Sequence, residues 1–137
     1  MSLDIPVVVD ADSAKPIPSM NVEPILHEVK HSLERLLKTG ESSMIDLRAI
    51  PLAPGEDEEI RERLGNGEAV INIDALGPST LTETAYPCVW WVEHRNNDDT
   101  VTGLYIEIAH VPAILFPSNE DLQEGLEQLT DNLNESE

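Results

Sequence analysis

The sequence predicts an α+β fold: a mostly antiparallel sheet of about four to five strands, with two longer helices and one short helix packed on one face. Three observations carry this reading. Near both ends of the chain, apolar residues recur at three- and four-residue steps, the period of a helix. Between them, several segments alternate apolar and polar residues, the period of a strand with one wet face. Clusters of Gly, Pro, Asn and Asp separate those segments and favour turns over continued strands.

Residues 1–20 hold Pro6, Pro16 and Pro18 around the β-branched run Val7-Val8-Val9, and read as an extended arm or linker. A single domain follows over 21–132, and 133–137 read as a frayed acidic tail. Val22, Ile25, Leu26, Val29, Leu33, Leu36 and Leu37 form the apolar stripe of the first helix. Asn21 can cap its start, Pro24 fits its first turn and Gly40 ends it. Met44 to Ile50 alternates, with Ile45, Leu47 and Ala49 on one face, until Pro51 and Pro54 stop it. A short acidic helix runs from about Gly55 to Leu64, with Asp57, Glu58 and Glu59 near the positive end of its dipole and Gly65 as its stop.

Ala69, Ile71, Ile73 and Ala75 form one face of a second strand, which Gly77-Pro78 terminates. A threonine-rich third strand covers Leu81 to Ala85. Cys88 to Arg95 and Val101 to His110 are the fourth and fifth, joined by the polar hairpin loop Asn96-Asn97-Asp98-Asp99. Val111-Pro112 breaks the ladder. Ser118 with Asp121 three residues later has a capping-box pattern, and Leu122, Leu126, Leu129 and Leu133 stripe a final helix.

The chain of 137 residues carries 27 acids against 8 Lys and Arg, a formal charge of −19. Such a surface repels phosphate backbones and anionic membranes, so nucleic-acid binding through a basic groove is excluded, and a basic partner is steered inward. Cys88 is the only cysteine, which rules out an intrachain disulfide and any multi-cysteine metal or iron–sulfur site within one chain. No basic start with an apolar stretch marks a secretory signal, and no apolar run has the length of a membrane span, so the expected compartment is the cytoplasm.

His27 and His31 have the four-residue helical spacing that can place two imidazoles on one metal. They lie opposite the apolar stripe beside Glu23, Glu34 and Lys38, which is the setting of a solvated polar face. His94 and His110 end adjacent predicted strands and could meet across the hairpin, although ordinary strand-end polarity accounts for them better. Cys88 could act as a nucleophile, but acidic surroundings and the start of an apolar strand suit a packed thiol better. No nucleophile elbow, Walker loop or dinucleotide fingerprint occurs, and Gly65-Asn66-Gly67 precedes a strand instead of opening a helix. Asp74 and Glu93 are the least ordinary acids, because both fall within half-buried strands.

Trp90 and Trp91 sit side by side in an alternating segment, so they point to opposite faces of the sheet. At most one enters a one-sided core; the other packs under a helix or offers a large apolar surface to a partner. Trp90, Trp91, Glu93 and Tyr86 are therefore the candidate partner-binding residues, with no catalytic, cofactor-binding or metal residue assigned.

Leu64-Gly65-Asn66-Gly67-Glu68, Asp74-Ala75-Leu76-Gly77-Pro78-Ser79-Thr80, and Glu83-Thr84-Ala85-Tyr86-Pro87 leading into Val89-Trp90-Trp91-Val92 together resemble the HupH/HyaF family of hydrogenase expression proteins. Ile25-Leu26-His27-Glu28-Val29, Leu33 to Leu37, Ile45 to Leu52, and Val111-Pro112-Ala113-Ile114-Leu115 extend the resemblance over roughly residues 22 to 130. It implies a non-enzymatic assembly factor for an uptake [NiFe] hydrogenase, with a subunit precursor as partner and the iron–sulfur small subunit favoured. That precursor carries a twin-arginine signal, a basic segment that an acidic domain could attract. No cofactor is implied. An exposed edge strand could also pair two copies into a homodimer. Two other classes stay open: a small metal-handling or enzymatic protein using His27 and His31 or Cys88, and an acidic interaction module or nucleic-acid mimic.

Overall fold

A computed structural model describes residues 20–74 and 77–135. The extended arm read over 1–20 thus lies outside the described residues except for Met20, as does Ala75 of the second strand. In chain order the elements are α1 (Val22–Thr39), β1 (Ser43–Asp46), a 3-10 turn (Leu47–Ala49), α2 (Glu56–Leu64), β2 (Val70–Asp74), β3 (Pro78–Glu83), β4 (Val89–Arg95), β5 (Val101–Ile108), a second 3-10 turn (Ala113–Leu115) and α3 (Asn119–Glu135). The five strands form one antiparallel sheet in the order β1-β5-β4-β3-β2, which bears out the α+β class.

The apolar stripe of α1 does what its period requires. Val22, Ile25, Val29 and Leu36 are buried, joined by Ile60 and Leu64 of α2, and together they cover Val89, Trp91, Leu104, Ile106 and Ile108 of the sheet. Leu47 completes this cluster from the 3-10 turn. Gly40 ends α1 in the left-handed conformation at φ +77°, where its N–H donates to the Leu36 carbonyl. Asn21 does not cap α1 with its side chain; its Nδ2 instead donates to Oε1 of the buried Glu56 at 3.0 Å, tying the start of α1 to α2.

Two strands, β1 and β3, differ most from the sequence reading. The strand expected over Met44 to Ile50 stops at Asp46, because the Asp46 carboxylate accepts from the Arg48 N–H at 3.0 Å and folds the chain into a 3-10 turn. Gly77-Pro78 does not merely end β2; Pro78 opens β3, which runs over 78–83 instead of 81–85. Gly77 is at φ +122°, and a Cβ there would collide with the Arg95 carbonyl oxygen. The hairpin between β4 and β5 falls where the polar loop places it, with a bulge at His94/Arg95.

Trp90 and Trp91 take opposite faces as alternation demands, yet neither presents a large apolar surface. Trp91 is 7% exposed in the helix-covered cluster, and Trp90 is 8% exposed on the other face. There Trp90 packs with Leu81 and Val92, flanked by Ala69, Ile71, Ile73 and Tyr105, and its Nε1–H donates to the Ala109 carbonyl at 3.2 Å. β4 is the central strand and is buried on both sides, which gives both rings a place.

The packing of α3 differs from expectation. Its N-terminus is capped by Ser118, whose Oγ accepts from the Asp121 N–H at 3.0 Å, and of the stretch 133–137 read as a frayed tail, 133–135 continue the helix while 136–137 lie outside the described residues. Its leucines, however, do not lie on the sheet: Leu122, Leu126, Leu129 and Leu133 are 57–66% exposed. Of the described helices, only α1 and α2 cover the sheet face.

Candidate partner-binding surfaces

Two concave surfaces flank the helix layer. The larger is an open trough of about 1330 Å³ between α2 and the strands β3, β4 and β5. Its floor is made by residues of the helix-side face, among them Thr80, Thr82, Trp91, Glu93 and Leu104. One wall is α2, whose register points Asp57, Glu58, Glu59 and Glu62 toward the opening. None of these four carboxylates makes an ion pair among the described residues.

The cations of the trough are in a different state. Arg61 lies over the Trp91 ring, 5.7 Å from its centroid, and its guanidinium donates to the Gly65 carbonyl at 2.7 Å and to Asn66 Oδ1. Arg95 grips Glu93 through Nε at 2.7 Å and reaches Asp99. The Glu93 hydrogen bond raises the Arg95 pKa still further above its usual value. Arg48 donates to the Val101 carbonyl. The arginines are thus held by acceptors of the chain itself, while the α2 acids face solvent unneutralised. The trough is an apolar and hydroxyl-bearing floor beneath an acidic wall.

The second surface is a smaller apolar groove of about 490 Å³ along α1, lined by Leu26, Val29, Leu33, Leu37, Leu64 and Tyr86, with Lys30, Glu34 and Arg63 among its charged lining residues. Leu37 is 87% exposed and Tyr86 50% exposed. Thr84 fixes the loop that carries Tyr86, its hydroxyl accepting from the Tyr86 N–H and donating to the Tyr86 carbonyl, each at 3.2 Å.

The four residues singled out by sequence are therefore not one site. Trp91 and Glu93 share the trough, Tyr86 belongs to the groove, and Trp90 is buried beneath the opposite face. His27 and His31 are exposed on α1, and no group of three or more metal-binding side chains occurs among the described residues. His94 and His110 do not meet, because antiparallel pairing puts them at opposite ends of the sheet. His94 Nδ1 instead lies 2.6 Å from Ser79 Oγ, with Tyr105 edge-on at 5.8 Å, and His110 Nδ1 lies 3.5 Å from Cys88 Sγ. Sequence reasoning missed both pairs. The register Ser79↔His94 would have revealed the first, had β3 been started at Pro78. The second follows from Cys88 and His110 flanking the same end of β4 and β5. Cys88 itself sits at φ +73°, an uncommon conformation for a residue with a side chain.

No described helix is long and apolar enough to cross a membrane. A hydrogenase expression/formation protein HoxQ of Azotobacter vinelandii is 27% identical over 114 residues, covering 80% of this chain and 40% of that protein. HupH of Rhizobium leguminosarum bv. viciae is 24% identical over 116 residues, covering 85% and 41%. The chain therefore spans about two fifths of the length of these relatives. The solved structure of a hydrogenase expression protein HupH from Thiobacillus denitrificans is 43% identical, covers 85% of this chain and 98% of that one, and superposes with a TM-score of 0.81. Residues 19–136 match the family described as HupH hydrogenase expression protein, C-terminal conserved region, and the chain belongs to that family.

Proposed function

We propose that this protein is a non-enzymatic accessory factor in hydrogenase maturation, which holds a hydrogenase subunit precursor, the iron–sulfur small subunit in particular, before assembly. The relatives' common designation as hydrogenase expression or formation proteins supports the pathway. The observation that carries the grip is the trough: four unpaired carboxylates of α2 over a floor of Trp91, Leu104 and two threonines. A basic segment of a precursor is drawn by the acidic wall at long range, and the half-buried Thr80, Thr82 and Glu93 of the floor then supply the short-range contacts that hold it. Glu93 and the edge of Trp91 are the residues it would touch.

Capture of separately expressed small- and large-subunit precursors on the immobilised chain tests this. Small-subunit capture at low salt should fall at least about tenfold in a Glu58→Lys/Glu59→Lys/Glu62→Lys variant and should weaken at high salt. Capture that ignores both changes, or that prefers the large subunit, would remove the acidic trough as the grip.

A further inference from the structure

The two apolar features that the fold leaves open, the α3 stripe and the α1 groove, match each other. We propose that two copies of this chain form a two-fold dimer in which α3 of each copy lays its leucine stripe in the α1 groove of the other.

The pattern of α3 is the first argument. Leu122, Leu126, Leu129 and Leu133 recur at steps of four, three and four and lie on one face. Its six described acids, Glu120, Asp121, Glu124, Glu127, Asp131 and Glu135, all lie away from that face. The positions directly beside the stripe are Gln123, Gly125, Thr130 and Asn132, all uncharged. Covering the stripe therefore buries no charge, and a helix so divided is one whose apolar side has a partner.

Dimensions select the groove, and no charge opposes it. From Leu122 to Leu133 is the same number of residues as from Leu26 to Leu37, so both are about 17 Å long at the helical rise. The groove is bordered by Lys30, by Glu34 and by Arg63, which already pairs with Glu23 at 2.9 Å, so its rim carries no net acidic charge in a chain that is otherwise strongly acidic. Because the α3 acids lie away from the leucine stripe, seating it in the groove sets none of them directly against Glu34. Pairing α3 with α3 would set two acid-backed helices together with no cation between them.

Connectivity selects the second copy. The turn that leads into α3 is held on the sheet face away from α1: the Ala113 N–H donates to Glu107 Oε2 at 2.9 Å, and Glu107 pairs with Trp90 on that face. Between this turn and α3 stand only Phe116, Pro117 and Ser118. A link with a reach of about 10 Å would have to carry α3 around the sheet and over α1 to fill its own groove. A partner copy has no such constraint. Two seats per dimer also double the buried area, toward the roughly 1,000 Å² that a specific interface requires.

Sedimentation equilibrium of the full chain should give twice the 15.1 kDa protomer mass. Leu126→Glu/Leu129→Glu and, separately, Leu33→Glu/Leu37→Glu should each raise the dissociation constant by about a hundredfold or more. Far-ultraviolet circular dichroism should keep the helix signal in the first variant, whose altered side chains are exposed in the protomer. In a Cys88→Ser background, a mixture of Leu37→Cys and Leu126→Cys chains treated with a short bismaleimide should give cross-linked pairs containing one of each. A monomer at every concentration overturns the proposal. So does an intramolecular link in a chain carrying both cysteines at high dilution, or a dimer that Leu126→Glu/Leu129→Glu breaks and Leu33→Glu/Leu37→Glu does not, which would mean α3 against α3.

Discussion

α1 and α3 carry the same message in sequence and opposite fates in the fold. Each has an apolar stripe at helical spacing, and they run for 18 and 17 residues. α1 buries Val22, Ile25, Val29 and Leu36 against the sheet, whereas α3 leaves all four of its leucines more than half exposed. Periodicity specifies that a helix forms and which side wants cover. It does not specify the surface that provides it. α1 is held by its neighbours in the fold: a short link joins it to β1, and Leu47 of the 3-10 turn and Ile60 and Leu64 of α2 share its cluster, whereas the α3 leucines belong to no core cluster among the described residues.

The largest effect that would sharpen this contrast is a matched truncation. Leu36→Ala removes a core side chain and should destabilise the protein by about 2–5 kcal/mol in urea unfolding at any protein concentration. Leu126→Ala should leave dilute protein within about 0.5 kcal/mol of the parent and lower the midpoint only where the chain is concentrated enough to pair. A comparable loss in dilute protein would break the comparison, because it would mean α3 is packed within one copy. A smaller effect comes from the helix ends. Gly40→Ala places a side chain at φ +77° in otherwise open space, so backbone strain alone should cost about 1–2 kcal/mol of global stability. Ser118→Ala should fray α3 in circular dichroism without moving the unfolding midpoint of dilute protein. The smallest concerns charge: α1 ends with Lys38 in its last turn, while α3 has no base there and carries Glu135. Glu135→Lys should raise helicity by an amount worth about 0.3–1 kcal/mol at low salt, an increase that salt should erase.

Much of the fold was legible because local rules and tertiary packing agreed. The α1 stripe, the Gly40 stop, the polar hairpin loop and the Ser118 cap are each governed by residues within one turn of the chain. The misplacements fall where a side chain competes with the ladder or where pairing decides. Asp46 diverts a strand into a 3-10 turn by bonding to the backbone, which alternation of Ile45, Leu47 and Ala49 does not reveal. β3 starts at Pro78 because the antiparallel register with β2 brings Pro78 opposite Asp74. The candidate site was legible only in pieces. Alternation placed Trp90 and Trp91 on opposite faces, but a five-stranded sheet with β4 at its centre hides both rings. The trough arises from α2 standing over β3 to β5, a juxtaposition of segments far apart in sequence, and no motif announces it.

The position of β1 beside β5 has a further consequence. β1 closes the sheet by pairing Ser43 with Ile108, whereas β2, β3 and β4 each pair with the strand that follows them in sequence. On the ribosome, α1 and β1 emerge on the order of sixty residues before the strand that receives them exists. During that interval the stripe of α1 has no sheet to cover, and the nascent chain presents its greasiest helix to whatever is near. The order of strands in the sheet thus fixes an early stage of synthesis in which the core helix of this chain is uncovered.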